Sequence, residues 1–441
     1  MLRPIVTFSI LRFMEVPSYR SIVKGAGIFG AAKAVNILTA LVRTKFAAVL
    51  LGTAGVGLNA LFNTVQLFMN QLLGLGLSTG SVKTLSEAYS THDLAFVDRH
   101  VTRVRHWAIL CGAAAIVLLA LLSPLLSLLY FDTLHYVPHF MLLGVGVAAL
   151  IVCDIEQSVM RSLQRSVRLA FSMLLTAICA LVFTVLFYWW LGMRGVIFAI
   201  VSCAVASACI CLWQGHKTHP FHLDWSQFSD WSEFWKASQP MLRTGMAFVI
   251  TGLFLQGSDL FLQSVLATTA SLTVVGLFKA GYQCAFTYPS MIFSGVANDY
   301  FPRLSAVADD DVAGRRIVVI RQIRVMFLIA LPVVVVIWLL APWVIRILLS
   351  EEFLPLVTMV RWSVLAILFK SIYLPLGYLP LALNKRLHFV ILEGLSCLIN
   401  ITVVLVGFYL GDLDGIGMGI FAGGILDLIL YILFCRYHYW N

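Results

Sequence analysis

The stretch from Leu51 to Asn70, LGTAGVGLNALFNTVQLFMN, combines an apolar segment of membrane-spanning length with a regular row of amides. The amides recur at i, i+4, i+7 and i+11, which superposes them within about 40° on a helix of 3.6 residues per turn. They are Asn59, Asn63, Gln66 and Asn70. Amides donate and accept hydrogen bonds without charge, as a path for sugar hydroxyls requires. Hydrogen bonding between neighbouring membrane helices is the alternative interpretation.

Part of this stretch recurs later in the chain. Val56-Gly57-Leu58 returns as Val275-Gly276-Leu277, and further landmarks keep an offset near 219. They are Leu85-Ser86 with Leu304-Ser305, Pro124 with Pro342, and Leu191-Gly192 with Leu410-Gly411. Six predicted helices separate each pair. This even number predicts two halves of the same orientation, related by an axis along the membrane normal, with a site between them near the midplane.

The composition indicates that lipid is the main solvent. Apolar residues make up 61% of the 441 residues and charged residues 12%, far from the mix of soluble domains. The predicted fold class is an all-α polytopic membrane protein, because a span needs about 20 mostly apolar residues. Twelve spans are predicted at 25–48, 57–81, 107–130, 139–160, 167–190, 194–213, 240–265, 272–298, 325–349, 354–382, 387–410 and 415–436.

Cationic residues are distributed unevenly over the predicted loops. The outer loops contain only Arg194 and Arg346, whereas the inner loops contain most of the arginines and lysines. This asymmetry predicts that both termini are cytoplasmic. It also explains the net charge of +9 without nucleic acid, since the basic residues form no continuous face.

The predicted domains follow from the repeat. An amino-terminal extension covers 1–20, and the two six-helix bundles cover 21–213 and 240–441. The linker 214–239 carries Trp225, Phe228, Trp231 and Trp235 on one side of a helix. It is predicted to lie at the membrane interface, where it sets the angle between the bundles.

Several cations lie inside the predicted spans, where ionisable groups usually face a wet cavity. The first span carries Lys33, Asn36 and Arg43 on one face and Lys45 on another. The tenth carries Arg361 and Lys370 on opposite sides of an ideal helix. All are candidates for substrate binding, and Lys370 is favoured over Arg361 because it lies deeper.

The eighth span repeats the polar face of the second with Lys279, Gln283, Phe286 and Ser290. Asp259 in the seventh span lies about as far from the outer turn as Lys279 does, so these two are placed to form a pair. A structural salt bridge and a substrate contact remain equal alternatives for this pair.

Carboxylates inside the spans are candidates for ion coupling. They are Asp259, Glu393 and Asp427. A buried carboxylate can titrate with a proton gradient. Asp154 shares a face with Gln157 and Arg161, which predicts local neutralisation. The sequence contains no phosphate-binding loop, zinc-protease motif or Cys-x-x-Cys pair, so neither a metal nor a cofactor is predicted.

The chain resembles the Wzx-type flippases of lipid-linked oligosaccharides, within the multidrug/oligosaccharidyl-lipid/polysaccharide exporter superfamily. The resemblance covers nearly everything after residue 20. Its marks are Lys45, Gly52-Thr53-Ala54-Gly55-Val56-Gly57-Leu58, Pro302-Arg303-Leu304-Ser305, Leu349-Ser350, Phe353, Trp362, Lys370, Gly377-Tyr378, Ala382, Phe389 and Leu392-Glu393.

The resemblance implies two bundles arranged in a V around a central cavity, which alternates between inward-open and outward-open states. The implied cargo is an undecaprenyl-pyrophosphate-linked glycan, moved from the inner to the outer leaflet of the bacterial cytoplasmic membrane for surface polysaccharide such as O-antigen, enterobacterial-common-antigen-like polymer or capsule. Polysaccharide polymerase and chain-length proteins are the expected partners besides the lipid bilayer.

Three alternatives stay open. A drug or small-cation antiporter of the same superfamily would rely on acidic and aromatic groups, against the excess of cations here. A lipid II flippase would have two additional helices. A membrane glycan polymerase or ligase would need a sizeable outer loop, and none of the predicted outer loops exceeds about a dozen residues. The chain is therefore expected not to be an enzyme.

Overall fold

A computed structural model describes residues 19–220, 231–307, 311–383 and 385–440. The regular elements of these ranges are all helices. They are α1 Tyr19–Leu73, α2 Leu77–Ser90, α3 Leu94–Phe131, α4 Val137–Ser162, α5 Ser166–Leu191, α6 Gly195–Thr218, α7 Trp231–Thr269, α8 Leu272–Tyr282, α9 Tyr288–Ser305, α10 Val312–Leu348, α11 Val357–Gly377, α12 Leu379–Ala382 and α13 Arg386–Tyr439. A π-helical turn, Gln283–Thr287, joins α8 to α9.

These helices make twelve spans, as predicted. Eight described stretches are long and apolar enough to cross a membrane, and three of them hold two spans each. Gly52 breaks α1 with a φ of 66°, and Gly411 and Asp412 break α13. The third double stretch is α5 with α6. The twelfth span is α8, the π turn and α9.

Lipid-facing side chains confirm that these helices are membrane spans. Leu121, Trp190 and Leu410 are 73%, 76% and 83% exposed, and each belongs to a helix that also buries a face in the protein. Exposed apolar side chains of this size along the helices are stable only against hydrocarbon. We call the end of the molecule with the cationic loops the inner end, and the opposite end the outer end.

The repeat is visible as a close crossing of the two halves at the outer end. A Cβ on Gly57 would lie 1.9 Å from the Leu272 carbonyl oxygen, and a Cβ on Gly276 would lie 2.0 Å from the Thr53 carbonyl oxygen. Each partner is the repeat equivalent of the other, at the offset of 219. The two backbones therefore touch around a two-fold axis, as the sequence predicts.

Further contacts hold the outer ends of the halves together. The Lys45 ammonium donates to the carbonyl oxygens of Arg346 and Leu349. The Tyr130 hydroxyl lies 2.8 Å from that of Ser264. Both contacts join the first half of the chain to the second, so the outer end is closed in this structure.

The inner end of α7 is fastened to the first half through α3. The Trp107 indole donates to the Ser238 hydroxyl at 2.9 Å, and Arg103 donates to the Ala237 carbonyl oxygen at 3.4 Å. Arg105 forms a two-pronged ion pair with Glu156 and also donates to the His219 and Pro220 carbonyl oxygens. Both described ends of the linker thus contact the inner end of α3.

The described residues cover only part of the predicted linker. Residues 214–218 complete α6, and 231–239 are the first turns of α7, which runs through Pro240 without ending. Trp225 and Phe228 lie outside the described residues, as do residues 1–18 of the amino-terminal extension. Trp235 packs its ring 5.8 Å from that of Trp107.

Candidate functional site

A cavity of about 540 Å³ opens inside the second half of the chain. Its walls come from α7, α8, the π turn, α11, α12 and α13. Five of the predicted site residues line it, and they are its charged groups: Asp259, Lys279, Lys370, Glu393 and Asp427. Residues from spans seven, eight, ten, eleven and twelve therefore converge on one polar space.

Lys370 has few partners in this space. Its ammonium donates to the Ser290 hydroxyl at 3.2 Å and lies 4.1 Å from the centre of the Phe286 ring. No described carboxylate lies within 4.0 Å of it. An ammonium has three donors, so Lys370 retains donors for an anionic or hydroxyl-bearing ligand.

Two carboxylates face the same cavity from α13. Asp427 is only 2% exposed, and its Oδ2 accepts from the Asn400 amide at 2.7 Å. Its Oδ1 has no hydrogen-bond partner among the described residues. Glu393 accepts from the Tyr431 hydroxyl at 3.0 Å. Leaving a buried acceptor without a donor costs free energy. Asp427 is therefore suited to accept a hydrogen bond from a ligand or a water, or to bind a proton.

The predicted pairing of Asp259 with Lys279 is confirmed. The Lys279 ammonium lies 2.5 Å from Asp259 Oδ2. Gln263 donates to both Asp259 and Thr64, and Thr64 belongs to the second span. The ion pair is therefore part of a polar network that connects α7 and α8 to the first half.

The predicted face of the eighth span is only partly kept. Lys279 and Phe286 line the cavity, and Ser290 contacts Lys370, but Gln283 is not among the lining residues. A π turn adds a residue to the helical turn, which shifts the register that a 3.6-residue period assumes. The π turn begins at Gln283, so it changes the register only of the residues that follow, and it does not account for the position of Gln283.

The amide stripe of the second span lies within the first half. Asn59 accepts from the Tyr188 hydroxyl at 2.9 Å and from Asn63 at 2.8 Å. Asn70 donates to Asp154 at 2.9 Å. Gln66 is 4% exposed. These contacts are those of the alternative interpretation, in which the stripe bonds to neighbouring helices.

Arg43 and Lys45, the predicted cations of the first span whose side chains are described, do not line this cavity. Lys45 serves the outer closure, as described above. Arg43 lies within electrostatic range of Tyr188 and Tyr288. Asn36 is half-buried in α1. The side chain of Lys33 lies outside the described part of the chain.

Arg361 and Lys370 face opposite sides of α11, as predicted. The Arg361 guanidinium donates to the Trp338 carbonyl oxygen at 3.2 Å and lies 5.4 Å from the centre of the Trp338 ring. Only Lys370 lines the cavity. These two cations therefore form a natural test pair on one helix.

Aromatic rings form much of the wall of the cavity, which was not predicted from the sequence. They are Phe278, Tyr282, Phe286, Tyr373, Tyr378, Phe389 and Tyr431. Tyr373 follows Lys370 by three residues and Tyr431 follows Asp427 by four. This spacing places each ring on the face of its charged neighbour, and it was the signal available in the sequence.

The cavity lies within the second half, whereas the repeat predicted a site between the halves. The physical reason is that the charged residues have no charged equivalents in the first half. At the offset of 219, Asp259, Lys279 and Asp427 correspond to Ala40, Ala60 and Ala208. The backbone repeat is symmetric, but its side chains are not.

The fold is found in solved transporters of the MOP superfamily. A multidrug-resistance transporter of the MATE family in an inward-facing conformation has a TM-score of 0.79 at 16% identity, over 91% of this chain and 94% of that one. The outward-facing conformation of such a transporter has a TM-score of 0.69 at 18% identity, over 94% of each chain. A Pyrococcus furiosus transporter described by the reverse polarity of its binding pocket has a TM-score of 0.68 at 17% identity, again over 94% of each chain.

The twelve-span fold is thus the fold of multi-pass membrane transporters of the MOP superfamily. Residues 46–358 match the family model described as polysaccharide biosynthesis protein. The chain belongs to this family. No curated protein matches it in sequence.

Proposed function

We propose that the chain is a flippase that moves undecaprenyl-pyrophosphate-linked oligosaccharide units from the inner to the outer leaflet of the cytoplasmic membrane. The observation that carries the proposal is Lys370, an ammonium without a carboxylate partner among the described residues, in an aromatic-lined cavity of a polysaccharide biosynthesis family protein. A pyrophosphate in a low-dielectric space needs such a cation.

The remaining groups suit a glycan. The carboxylates of Asp427 and Glu393 would accept hydrogen bonds from sugar hydroxyls, Asn400 and Ser396 are neutral polar groups, and the aromatic rings provide flat faces for sugars. The volume of about 540 Å³ is that of an ordinary ligand pocket. We therefore expect the pyrophosphate and the sugars next to it to enter the cavity, while the lipid tail stays in the bilayer.

Energy for the cycle would come from a gradient of protons or sodium or from the membrane potential. Asp259, Glu393 and Asp427 are our candidates for ion coupling. An anionic cargo moving outward gains about 2.3 kcal/mol per charge per 100 mV of an inside-negative potential. Flipping in vesicles should slow when every gradient is collapsed, and an unchanged rate would contradict coupling.

The orientation in the membrane and the partner proteins follow from the same proposal. Both termini would be cytoplasmic, and polymerase and chain-length proteins would take over the exported unit in the synthesis of O-antigen, common-antigen-like polymer or capsule. The chain would carry its cargo without chemical change, so we propose no enzymatic activity.

Export of small lipophilic cations is the second candidate. It is favoured by the three carboxylates and seven aromatic rings of the cavity, which is the lining expected of a drug antiporter. The lysines favour the anionic cargo instead. Loss of a positive charge in the cavity should weaken transport of an anionic cargo and should not weaken transport of a cationic one.

The decisive experiment measures flipping of a purified lipid-linked oligosaccharide in vesicles that contain the protein. Lys370→Ala should lower the rate at least tenfold, whereas Arg361→Ala, on the other side of the same helix, should not. Full flipping by the triple variant of Lys33, Lys279 and Lys370 would refute the proposal. Efflux of a lipophilic cation that survives Lys370→Ala and is lost in Asp427→Asn would establish the second candidate.

A further inference from the structure

Two buried thiols meet inside the first half of the chain. Cys153 of α4 and Cys211 of α6 are 4% and 0% exposed, and their sulfur atoms lie 3.1 Å apart. The sulfurs of a disulfide lie about 2.05 Å apart, so a movement of about 1 Å separates this contact from a covalent bond. The two residues are 58 positions apart in the chain, which is why no short cysteine motif marks them in the sequence.

Close packing of α4 against α6 holds this contact on both sides. Toward the outer end, Ala149 packs in one cluster with Ala204 and Ala208, and side chains this small let membrane helices approach closely. Toward the inner end, a Cβ on Gly215 would lie 1.9 Å from Glu156 Oε2. The two thiols therefore face each other across a seam whose width is fixed above and below them.

The Gln157 side chain is a hydrogen-bond donor for both sulfurs. Its Nε2 lies 3.2 Å from Cys153 Sγ and 3.7 Å from Cys211 Sγ. A thiol reacts as the thiolate, and an N–H group that points at the sulfur stabilises the negative charge of that form. Gln157 is only partly buried, and Asp154, the residue after Cys153, is exposed. The thiol pair therefore lies one side chain below the surface, within reach of a small uncharged oxidant.

We propose that Cys153 and Cys211 form a reversible oxidation site, at which hydrogen peroxide converts the two thiols into a disulfide that joins α4 to α6. One thiolate attacks a peroxide oxygen, the O–O bond breaks, and a sulfenic acid and a hydroxide ion form. The second sulfur attacks the sulfenic sulfur, the S–O bond breaks, and the S–S bond forms as a second hydroxide leaves. The hydroxides take up the two thiol protons. One peroxide is thus reduced to two waters while the sulfur pair gives up two electrons, and a thiol reductant reverses the change.

The bond would stiffen the first half without fastening it to the second, because both cysteines belong to the first half. It would close the loop from Cys153 to Cys211, which restricts the unfolded chain. The oxidised protein should therefore unfold at a higher temperature than the reduced protein. Neither cysteine lines the large cavity, so the site stands or falls separately from the proposed flippase activity.

The test uses the purified full chain, first reduced and then treated with hydrogen peroxide. The number of thiols that react with a maleimide after unfolding should fall by two from the initial nine, and dithiothreitol should restore both. Cys153→Ala and Cys211→Ala should each lose none. Cys209→Ala is the matched control, because Cys209 is an exposed cysteine of the same helix α6, and this variant should lose two as the wild type does. Gln157→Leu should slow the oxidation severalfold.

Peptide mapping of the oxidised wild type decides even if a variant does not fold, because the joined peptides must be linked through Cys153 and Cys211. A wild type that loses no thiols, or loses them in a form that dithiothreitol does not restore, would overturn the proposal. So would a bond between any other cysteines, an equal loss in Cys153→Ala, or an unfolding temperature that oxidation does not raise. An unchanged oxidation rate in Gln157→Leu would overturn the role assigned to Gln157.

Discussion

Gly57 and Gly276 face each other across the outer crossing of the two halves, each against the backbone of the other's helix. A methyl group at either position would meet a carbonyl oxygen and not the end of a flexible side chain. Overpacking of this kind typically costs about 1–3 kcal/mol. We therefore expect Gly57→Ala and Gly276→Ala each to lower the unfolding temperature of the purified protein.

Gly411→Ala is the control for these variants. Gly411 has a φ of −160°, and no heavy atom lies within 4 Å of an added Cβ. The substitution should leave the unfolding temperature nearly unchanged. If all three substitutions lowered the unfolding temperature equally, the close approach of the backbones at the crossing would not be the cause of the loss.

The crossing illustrates how much of the fold the sequence contains. The offset of 219 and the span lengths sufficed to predict twelve helices in two equivalent halves. The breaks at Gly52 and Asp412 fall in the predicted connections between spans. The break at Leu75 lies inside the predicted second span and was not predicted, because an apolar window reports length and not local φ and ψ. The contacts of Arg105 were also missed, since its position in an inner loop already explained its charge.

The Arg105–Glu156 pair offers a second prediction. Its members are only 3% and 1% exposed and bond at 2.7 and 2.9 Å. Glu156→Gln leaves a buried guanidinium without its counter-charge, and breaking a buried pair in this way costs about 3–5 kcal/mol. We expect low abundance in membranes and a much lower unfolding temperature.

Glu87→Gln is the matched control for Glu156→Gln. The Lys83–Glu87 pair is 3.9 Å long and its side chains are more than two-thirds exposed, so the loss should stay within about 1 kcal/mol. A Glu156→Gln protein as stable as Glu87→Gln would show that Arg105 is held by the linker carbonyls alone.

The Asp259–Lys279 pair separates a structural role from a substrate contact. If the pair is structural, Lys279→Ala leaves a carboxylate unpaired inside the membrane and should lower abundance, while the double variant Asp259→Ala/Lys279→Ala should recover it. A double variant that is abundant but cannot flip lipid-linked oligosaccharide would identify a substrate contact. The measurements are quantitative membrane abundance and the vesicle flipping rate.

His100 predicts a pH dependence at the inner end. The helix α3 is about 57 Å long, so its first turns extend beyond the membrane, and His100 is buried there at 2% exposure. Burial, and secondly the charge of Arg103, lower the pKa of His100 from 6.5 to about 4. The unfolded chain thus binds a proton at a higher pH than the folded chain does.

Because the pKa of His100 is lower in the folded chain than in the unfolded chain, protonation at low pH favours unfolding. His100 contributes to stability above pH 6.5, and the contribution is lost as the pH falls toward about 4. The unfolding temperature should therefore drop between neutral pH and about pH 5, and His100→Gln should flatten that part of the profile. If the unfolding temperature of His100→Gln depended on pH as that of the wild type does, His100 would not be the titrating group. His92→Gln, at an exposed position, is the control.

The site was less predictable than the fold. Helical periodicity placed Lys370 opposite Arg361 and placed Asp259 near Lys279, because both relations depend only on spacing and span ends. It did not tell which neighbour a polar face meets. The amides from Asn59 to Asn70 therefore turned out to contact helices of their own half, and Gln283 does not line the cavity that Lys279 lines.

The charged residues that line the large cavity all lie in the second half of the chain. This placement bears on how many cargo molecules one chain would bind. A duplicated protein with two equal sites would transport two molecules per cycle, but here Ala40, Ala60, Ile151, Leu174 and Ala208 stand where the second half has its acids and lysines. Under the proposed function, one chain would therefore hold one cargo molecule, and an inhibitor directed at the cavity should saturate at a stoichiometry of one.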